Sequence, residues 1–212
     1  MSTLTYILEH KIVAIMRGMP AKDALSLANA LHKGGIDILE ITLNSPNALG
    51  VIEELANEFK GAMLIGAGTV LTGQEAKNAI NAGAQFIISP ALDAEVIKAT
   101  KDAGKVSIPG AYTPTEIVQA HRSGADIIKV FPAPNAAYIK NILAPLNYLK
   151  LMPTGGVNVD NIKDYAAAGA VAFGIGSSLV NSKEEVNDLY LQNLEDKARR
   201  FTGAIHATAI QS

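Results

Sequence analysis

The sequence has no cysteine, no tryptophan and little charge for its length. The absence of cysteine excludes a disulfide scaffold, a thiolate nucleophile and a cysteine-ligated metal centre. Charged side chains make up 18% of the 212 residues, the formal net charge is −2, and no basic block is present, which argues against a nucleic-acid partner. The first residues lack the pattern of a signal peptide, and no apolar run approaches the ~18 residues of a membrane helix. We therefore expect a cytoplasmic protein without a membrane partner.

Small-residue turns recur along the chain, each between a helical stretch and a short apolar run. Five of them contain Gly35, Gly83, Gly104, Gly124 and Gly169, which are separated by 48, 21, 20 and 45 residues. Because the long gaps are about twice the short ones, a unit of roughly 20–24 residues repeats, with glycine as the expected helix stop.

The apolar runs predict the fold class. Eight runs are short, rich in β-branched residues and bounded by glycine or proline: KIVAIMR, DILEITL, MLIGAGT, QFIISP, VSIPG, DIIKVF, LKLMPTGG and AVAFGIG. Strands that alternate with helices indicate a parallel sheet, and eight such units are what a closed barrel requires. We predict one α/β domain over residues 1–212, a (β/α)8 TIM barrel with a short N-terminal helix at Thr3–His10. A doubly wound open sheet is the main alternative, but it usually has fewer units and one dominant glycine-rich loop.

The predicted C-terminal region consists of a last helix at about Lys183–Thr202 and a weakly ordered tail over residues 203–212.

Polar side chains near the strand ends mark the predicted active site, because the loops at the carboxyl ends of barrel strands carry the catalytic groups. Arg17, Glu40, Lys129 and Thr154 lie within or at the end of four candidate strands, and Thr69 closes a fifth.

Lys129 is the most informative of these residues. An apolar setting disfavours the ammonium form of lysine, and a neutral amine is a nucleophile towards carbonyl groups. Glu40, on another strand, is its expected partner. Two interpretations remain open: a Schiff-base lysine with a carboxylate that moves protons, or a buried structural ion pair. Arg17 also has two interpretations, a clamp for a carboxylate or phosphate, or a structural partner of Glu40.

Two glycine-containing loops follow the last two candidate strands. One contains Gly155 and Gly156, and the other contains Gly176 and Ser177. In barrels of this kind these two loops frequently hold a phosphate through backbone N–H groups, and glycine allows the backbone to approach the anion closely. We therefore predict a phosphate site here rather than plain turns.

The remaining candidates are weaker. The run from Gly66 to Thr69 lacks the third glycine of a dinucleotide fingerprint, so we expect close packing at a strand end there. No histidine has a helical neighbour that would suggest a metal site. Surface positions are predicted for His10, His32, His121 and His206.

Taken together and in this order, several stretches resemble the class I 2-keto-3-deoxy-6-phosphogluconate (KDPG) and 4-hydroxy-2-oxoglutarate (KHG) aldolase family over nearly the whole chain. The matching stretches are GGIDILEITLNSP, IGAGTVL, AGAQFIISPAL, IPGAYTPTE, GADIIKVFPA, PTGGV and GSSLV. The resemblance implies a (β/α)8 barrel, a homotrimer, and no metal or organic cofactor.

The resemblance also implies roles for individual residues. It assigns the Schiff base to Lys129, proton transfer to Glu40, and contacts at the keto-acid end to Thr69 and Thr154, with Phe131 lining the pocket. The implied phosphate ligands are Gly155, Gly156, Gly176 and Ser177.

One stretch departs from the best-known KDPG aldolases. Where they have Leu-Arg-Thr after the glutamate strand, this chain has Leu43-Asn44-Ser45, and its arginine is Arg17. This combination is more similar to the 6-phosphogalactonate branch of the family.

The expected reaction is reversible cleavage of a 2-keto-3-deoxy-6-phospho sugar acid, gluco or galacto, to pyruvate and glyceraldehyde 3-phosphate. The first alternative is cleavage of unphosphorylated 4-hydroxy-2-oxoglutarate. The others are a phosphosugar isomerase and a non-catalytic sugar-phosphate-binding protein, and both leave the lysine and glutamate at the barrel mouth unexplained.

Overall fold

A computed structural model describes the backbone of residues 1–209 and the side chains as far as Ile205. The strands are β1 (Ile12–Met16), β2 (Ile38–Thr42), β3 (Leu64–Gly68), β4 (Phe86–Ile88), β5 (Val106–Ile108), β6 (Gly110–Ala111), β7 (Ile128–Val130), β8 (Leu151–Pro153) and β9 (Phe173–Ile175). The α-helices are α1 (Thr3–His10), α2 (Ala24–Lys33), α3 (Ala48–Glu58), α4 (Gly73–Asn81), α5 (Ala94–Asp102), α6 (Pro114–Arg122), α7 (Ala136–Leu143), α8 (Ile162–Ala167) and α9 (Asp188–Ala209). A 3-10 helix at Ala21–Asp23 precedes α2. No helix within residues 1–209 is both long and apolar enough to cross a bilayer.

The strands pair in parallel and follow a curled path. One sheet has the order β5-β4-β3-β2-β1-β9, and a second has the order β6-β7-β8. Pro109 alone separates β5 from β6, and a bridge between Thr154 and Gly174 joins the end of β8 to β9. Each of the eight predicted strand segments therefore supplies a strand, one of them in two pieces.

One face of the curled sheet surrounds an apolar layer. It contains Val13, Ile38, Leu64, Phe86, Ile88, Val106, Ile108, Ile127, Met152 and Ala172. Ile7 of α1 belongs to the same cluster and is fully buried. The N-terminal helix, found at Thr3–His10 as predicted, therefore packs against the end of this layer where the strands begin.

The opposite face of the sheet packs against the helices. Ala14 and Leu39 of the strands and Leu27 and Ile52 of the helices belong to this second cluster. Every residue of β1, β2 and β3 is buried. Burial on both faces explains why the candidate strands are nearly continuous apolar runs.

Two helices begin with a reciprocal cap on the side where the strands end. In α4, the Thr72 side chain accepts a hydrogen bond from the backbone N–H of Glu75, while the Glu75 carboxylate accepts from Thr72. Thr113 and Glu116 make the same arrangement at α6. Such boxes satisfy two N–H groups of the first helical turn, and they fix where the loops after β3 and β6 end.

The C-terminal helix differs from its prediction. α9 spans Asp188–Ala209, not Lys183–Thr202. Asn187 caps the helix by accepting a hydrogen bond from the backbone N–H of Tyr190 at 3.0 Å, whereas Asn181 binds the backbone N–H of Lys183 in a preceding turn. Residues 203–209, predicted to be weakly ordered, belong to α9, while residues 210–212 lie outside the described part of the chain.

Candidate active site

Glu40 and Lys129 are charged residues buried in the middle of two strands. Glu40 lies in β2 and Lys129 in β7, and their exposed fractions are 0% and 1%. Each stands two residues beyond a member of the inner apolar layer, Ile38 or Ile127, so its side chain shares that face of its strand. Both groups therefore lie inside the curled sheet, one pleat closer to the carboxyl ends of the strands.

The Glu40 carboxyl group has no hydrogen-bond partner on either oxygen. It lies over Gly68 of β3, where a Cβ atom would stand 1.7 Å from Oε1. Burial raises the pKa of Glu40, while the charges of Lys129 and Arg17 oppose that rise. A carboxyl group in this state takes up and releases a proton at a higher pH than an exposed one, which suits it to acid–base work.

The pKa of the Lys129 amine is shifted in the opposite direction. Burial lowers the pKa of Lys129, Glu40 acts against this shift, and Arg17 lowers the pKa further. Its Nζ atom lies 4.8 Å from the centre of the Phe131 ring. No ion pair within 4.0 Å joins Lys129 to Glu40 in the described chain. The two residues therefore make no direct ion pair, and the lowered pKa leaves more of the amine neutral at a given pH than in an exposed lysine.

A cavity of about 310 Å³ opens where the strands end. This volume is at the lower end of the range of small-molecule sites, about 300–1,000 Å³. Seven of the predicted site residues line it: Arg17, Phe131, Thr154, Gly155, Gly156, Gly176 and Ser177. Lys129 and Glu40 are not part of the cavity lining, but Lys129 lies one pleat below Phe131, which is part of it, on the same strand face.

Thr154 contributes an unpartnered hydroxyl group to the cavity wall. The residue is 3% exposed, and its Oγ1 atom makes no hydrogen bond. Gly174 of β9 leaves room for it, since a Cβ atom at that position would lie 2.3 Å from Oγ1. A buried hydroxyl without a partner is costly, so this group is available to a polar atom in the cavity.

The two glycine loops also line the cavity, and a hydrogen bond joins them. The Ser178 hydroxyl donates to the carbonyl oxygen of Val157 at 2.7 Å, and the Asn161 amide donates to the carbonyl of Gly156 at 2.9 Å. Gly155 and Gly156 have φ angles of 86° and 78°, which favour glycine. The backbone N–H groups of Gly155, Gly156 and Ser177 donate to no acceptor in the described chain. Free N–H groups on successive loop residues suit an anion.

Arg17 follows β1 directly and lies at the cavity wall. It is exposed, and among the described residues it makes no ion pair or hydrogen bond. Arg17 therefore makes no direct ion pair with Glu40. Its guanidinium group is close enough to lower the pKa of both Glu40 and Lys129.

Thr69 stands apart from the other predicted site residues. It follows β3, is half-buried and has a φ angle of 55°, which is unusual for a β-branched residue. It is not part of the cavity lining. The preceding glycines behave as expected for close packing, because Gly66 lies against the Phe86 ring and Gly68 against Glu40.

The sequence reasoning missed three polar residues of the cavity, namely Asn158, Ser178 and Ser182. Ser178 could have been predicted from the sequence, because it adjoins Ser177 in the same loop. Asn158 belongs to an Asx turn in which its side chain accepts from the backbone N–H of Asp160 and Asn161. An asparagine followed by polar residues two and three positions later is the sequence pattern that could have predicted this turn.

The histidines lie away from the cavity. His10, His32 and His121 are exposed helical residues, as predicted, while the side chain of His206 lies outside the described residues. The sequence did not reveal that His10 and His32 both approach Asp37, at 3.7 and 2.5 Å. Within the described chain no group of three histidine or acidic residues is arranged to hold a metal ion.

Parallel strands that carry a buried lysine and glutamate beneath a cavity at their carboxyl ends define an α/β enzyme. The family model described as "Aldolase: KDPG and KHG aldolase" matches residues 5–193. The chain belongs to this family. It is an aldolase and hence a lyase.

Individual relatives agree with this assignment. A probable 2-dehydro-3-deoxy-6-phosphogalactonate aldolase of Rhizobium meliloti is 35% identical over 86% of this chain and 87% of its own length. A 2-dehydro-3-deoxy-phosphogluconate aldolase of Haemophilus influenzae is 36% identical over 82% of this chain and 84% of its own. Among solved structures, a KDPG aldolase from Legionella pneumophila, with pyruvate captured at low pH as a covalent carbinolamine, has a TM-score of 0.79 and 30% identity over 98% of both chains.

Proposed function

We propose that this aldolase cleaves a 2-keto-3-deoxy-6-phospho sugar acid reversibly to pyruvate and glyceraldehyde 3-phosphate through a Schiff base on Lys129. The observation that carries the proposal is the position of Lys129, a buried amine with a lowered pKa whose Nζ atom lies 4.8 Å from the centre of the Phe131 ring in the cavity wall. The carbinolamine in the Legionella relative supports it, as do the names of the two sequence relatives.

The first half of the mechanism makes the iminium ion. The neutral Lys129 amine attacks the C2 ketone of the substrate to form a carbinolamine, and loss of water gives the iminium. Glu40 transfers the protons of these steps, directly or through a water molecule. Burial raises the pKa of Glu40, which favours the protonated form that donates in these steps.

The second half breaks the carbon–carbon bond. Glu40 accepts the proton of the C4 hydroxyl group, the C3–C4 bond breaks to release the aldehyde, and its electron pair moves into the iminium to give an enamine. Protonation at C3 and hydrolysis then release pyruvate and regenerate the Lys129 amine.

The cavity wall provides separate contacts for the two ends of the substrate. Arg17, Thr154 and Thr69 are assigned to the keto-acid end, although Thr69 is not part of the cavity lining, and Phe131 lines the pocket. The phosphate is assigned to the free N–H groups of the two loops, through Gly155, Gly156, Gly176 and Ser177. Phosphate binding far from the reacting carbons orients them and lowers the barrier.

The proposal also covers the closure of the barrel, the number of domains and the assembly. Since β5 and β6 are separated by one residue and Thr154 bridges to Gly174, we propose a single domain with one closed (β/α)8 barrel of eight strands. The family resemblance supports a cytoplasmic homotrimer whose chemistry needs no metal or organic cofactor.

Borohydride trapping tests the role of Lys129. The enzyme is incubated with pyruvate and sodium borohydride, digested and analysed by mass spectrometry. We expect a stable reduced pyruvyl adduct on Lys129, which disappears in Lys129→Met and persists in Lys140→Met, a control at an exposed position of α7. An adduct on another lysine, or none, would contradict the proposal.

A substrate comparison tests the specificity. The kcat/KM values of the gluco epimer, the galacto epimer and unphosphorylated 4-hydroxy-2-oxoglutarate are measured in parallel. If Arg17 and Asn44 mark the galactonate branch, the galacto epimer is used at least as well as the gluco epimer. Equal use of the unphosphorylated acid would contradict a phosphate site in the two loops.

A further inference from the structure

We propose that Ser45 is a positioning residue that fixes the turn at Arg17 and Gly18, and thereby holds the Arg17 guanidinium group at the cavity wall. The inference rests on the proposed function, because its main readout is the handling of the substrate carboxylate by Arg17.

A short hydrogen-bond chain connects the end of β2 to the loop after β1. The backbone N–H of Gly18 donates to the Ser45 hydroxyl oxygen at 2.8 Å. The Ser45 hydroxyl group lies 2.9 Å from the Thr42 hydroxyl, and the Ser45 N–H donates to the Thr42 carbonyl at 2.9 Å. Since Thr42 is fully buried in β2, Ser45 is held firmly and transmits that position to Gly18.

The turn needs such a tether because its functional residue has none. Arg17 is exposed and lacks hydrogen bonds of its own in the described chain. Met16 and Met19, on either side, are 3% and 4% exposed and anchor the ends of the turn in the core. Gly18, between them, has a φ angle of 67°. Its N–H bond to Ser45 therefore sets the direction in which Arg17 leaves the strand.

Ser45 acts on the site through Arg17 rather than by direct contact. Arg17 lines the active-site cavity, and Ser45 does not. Ser45 instead lies beside a small apolar pocket with Met16, Met19 and Pro46. The Ser45 hydroxyl is thus placed behind the turn, on its side away from the substrate.

The arrangement also explains why Arg17 and the Asn44-Ser45 pair occur together in this chain. An arginine carried on β1 needs its turn fixed from the neighbouring strand, and β1 pairs with β2 along Val13–Met16 and Ile38–Ile41. An arginine carried by the β2 loop itself would not need this contact. Ser45 is therefore part of the same specificity element as Arg17.

A double-mutant cycle tests the inference. Ser45→Ala, Arg17→Gln and the double variant are compared by kcat and KM, with Ser45→Thr as the conservative variant and Ser26→Ala as the control. The Ser26 hydroxyl likewise makes a hydrogen bond to the backbone, donating to the carbonyl of Asp23, but Ser26 does not line the cavity. We expect Ser45→Ala to raise KM about tenfold with kcat nearly unchanged, as the loss of one good hydrogen bond predicts.

The decisive result is coupling. In the Arg17→Gln background, Ser45→Ala should have almost no further effect, Ser45→Thr should behave like wild type, and Ser26→Ala should change neither constant. The acid limb of the kcat/KM profile should move to higher pH in both single variants, because the Arg17 charge that lowers the pKa values of Glu40 and Lys129 is removed in one and displaced in the other. Additive effects of the two substitutions, or an unmoved acid limb, would overturn the inference.

Failure of the proposed function is recognised separately. If wild type forms no reduced adduct with pyruvate, the Schiff-base mechanism is wrong. The inference is then judged by hydrogen exchange of the peptide that contains Gly18. Faster exchange in Ser45→Ala but not in Ser45→Thr supports the tether, and unchanged exchange in Ser45→Ala rejects it.

Discussion

Two layers of side chains fill the inside of the curled sheet, and they differ in almost every physical property. The lower layer is the apolar set that begins with Val13, Ile38 and Leu64, and its members pack against one another and against α1. The upper layer consists of Glu40, Gly68, Lys129, Thr154 and Gly174. Its polar atoms are buried, and three of them have no partner.

The same strands build both layers, two residues apart. Ile38 is followed on its face by Glu40, Ile127 by Lys129, Met152 by Thr154 and Ala172 by Gly174. The side chains that stabilise the fold and those proposed to react are therefore only two residues apart on the same strands. The lower layer supplies burial energy, whereas the upper layer retains costly groups for reaction.

The largest expected effect on stability comes from opening the lower layer. Phe86→Ala should reduce the free energy of unfolding by about 3–5 kcal/mol. Phe86 is fully buried, and its ring occupies the space above Gly66, which has no side chain to fill the cavity that remains. Denaturant unfolding measures the loss, with the exposed Tyr148→Ala as the control. A loss below about 1 kcal/mol would show that the layer can collapse around the missing ring.

Replacing the ionisable groups of the upper layer should increase the free energy of unfolding rather than reduce it. The double variant Glu40→Gln/Lys129→Met should be inactive but more stable at pH 7 by about 1–4 kcal/mol, because two buried ionisable groups are replaced by groups that cannot be charged. Chemical denaturation measures the difference. Destabilisation at pH 7 would contradict the comparison of the two layers.

The pH dependence of this difference follows from the pKa shifts. The folded pKa of Glu40 is raised, so its contribution is present below the unfolded pKa and is lost as pH rises through the folded pKa. The folded pKa of Lys129 is lowered, so its contribution is present above the unfolded pKa and is lost as pH falls through the folded pKa. As pH falls, wild type should therefore gain stability relative to Glu40→Gln and lose stability relative to Lys129→Met.

Patterns within short stretches of sequence predicted the strands that carry the lower layer, and they placed Glu40 and Lys129 within those strands. β-branched runs between glycine turns mean the same in any parallel sheet, and two-residue alternation places Lys129 on the face of Ile127. The N-terminal helix ended where expected, since its pattern is interrupted at Lys11, which has a φ angle of 62°. The catalytic candidates were visible because buried charge is rare.

Contacts between distant segments could not be predicted in this way. The sequence could not show that Glu40 and Lys129 remain without a direct ion pair, since that depends on the positions of β2 and β7 around the sheet. Nor could it show that Ser45 reaches Gly18, 27 residues earlier. The start of α9 was misplaced because residues 181–187 form local turns whose polar side chains resemble a first helical turn.

The smallest expected effect tests whether glycine in the upper layer is a requirement of the chemistry. Gly68→Ala should push the Glu40 carboxyl group away, because the new Cβ would stand 1.7 Å from Oε1. The φ angle of Gly68 is not positive, so the backbone tolerates alanine, and a flexible side-chain end can move without unfolding the strand. We expect kcat to fall about tenfold, equivalent to about 1.4 kcal/mol in the barrier, with a stability change within about 1 kcal/mol.

The matched control is Gly203→Ala in α9, where a Cβ atom meets nothing within 4 Å. This variant should keep full activity and gain slightly in stability, because alanine is the better helix former. In the Glu40→Gln background, Gly68→Ala should cost little further activity, since the group that it displaces no longer transfers protons. A Gly68→Ala enzyme with normal kcat would mean that Glu40 works equally well from another position. The upper layer would then tolerate a displaced side chain, whereas the lower layer is expected not to tolerate the loss of the Phe86 ring.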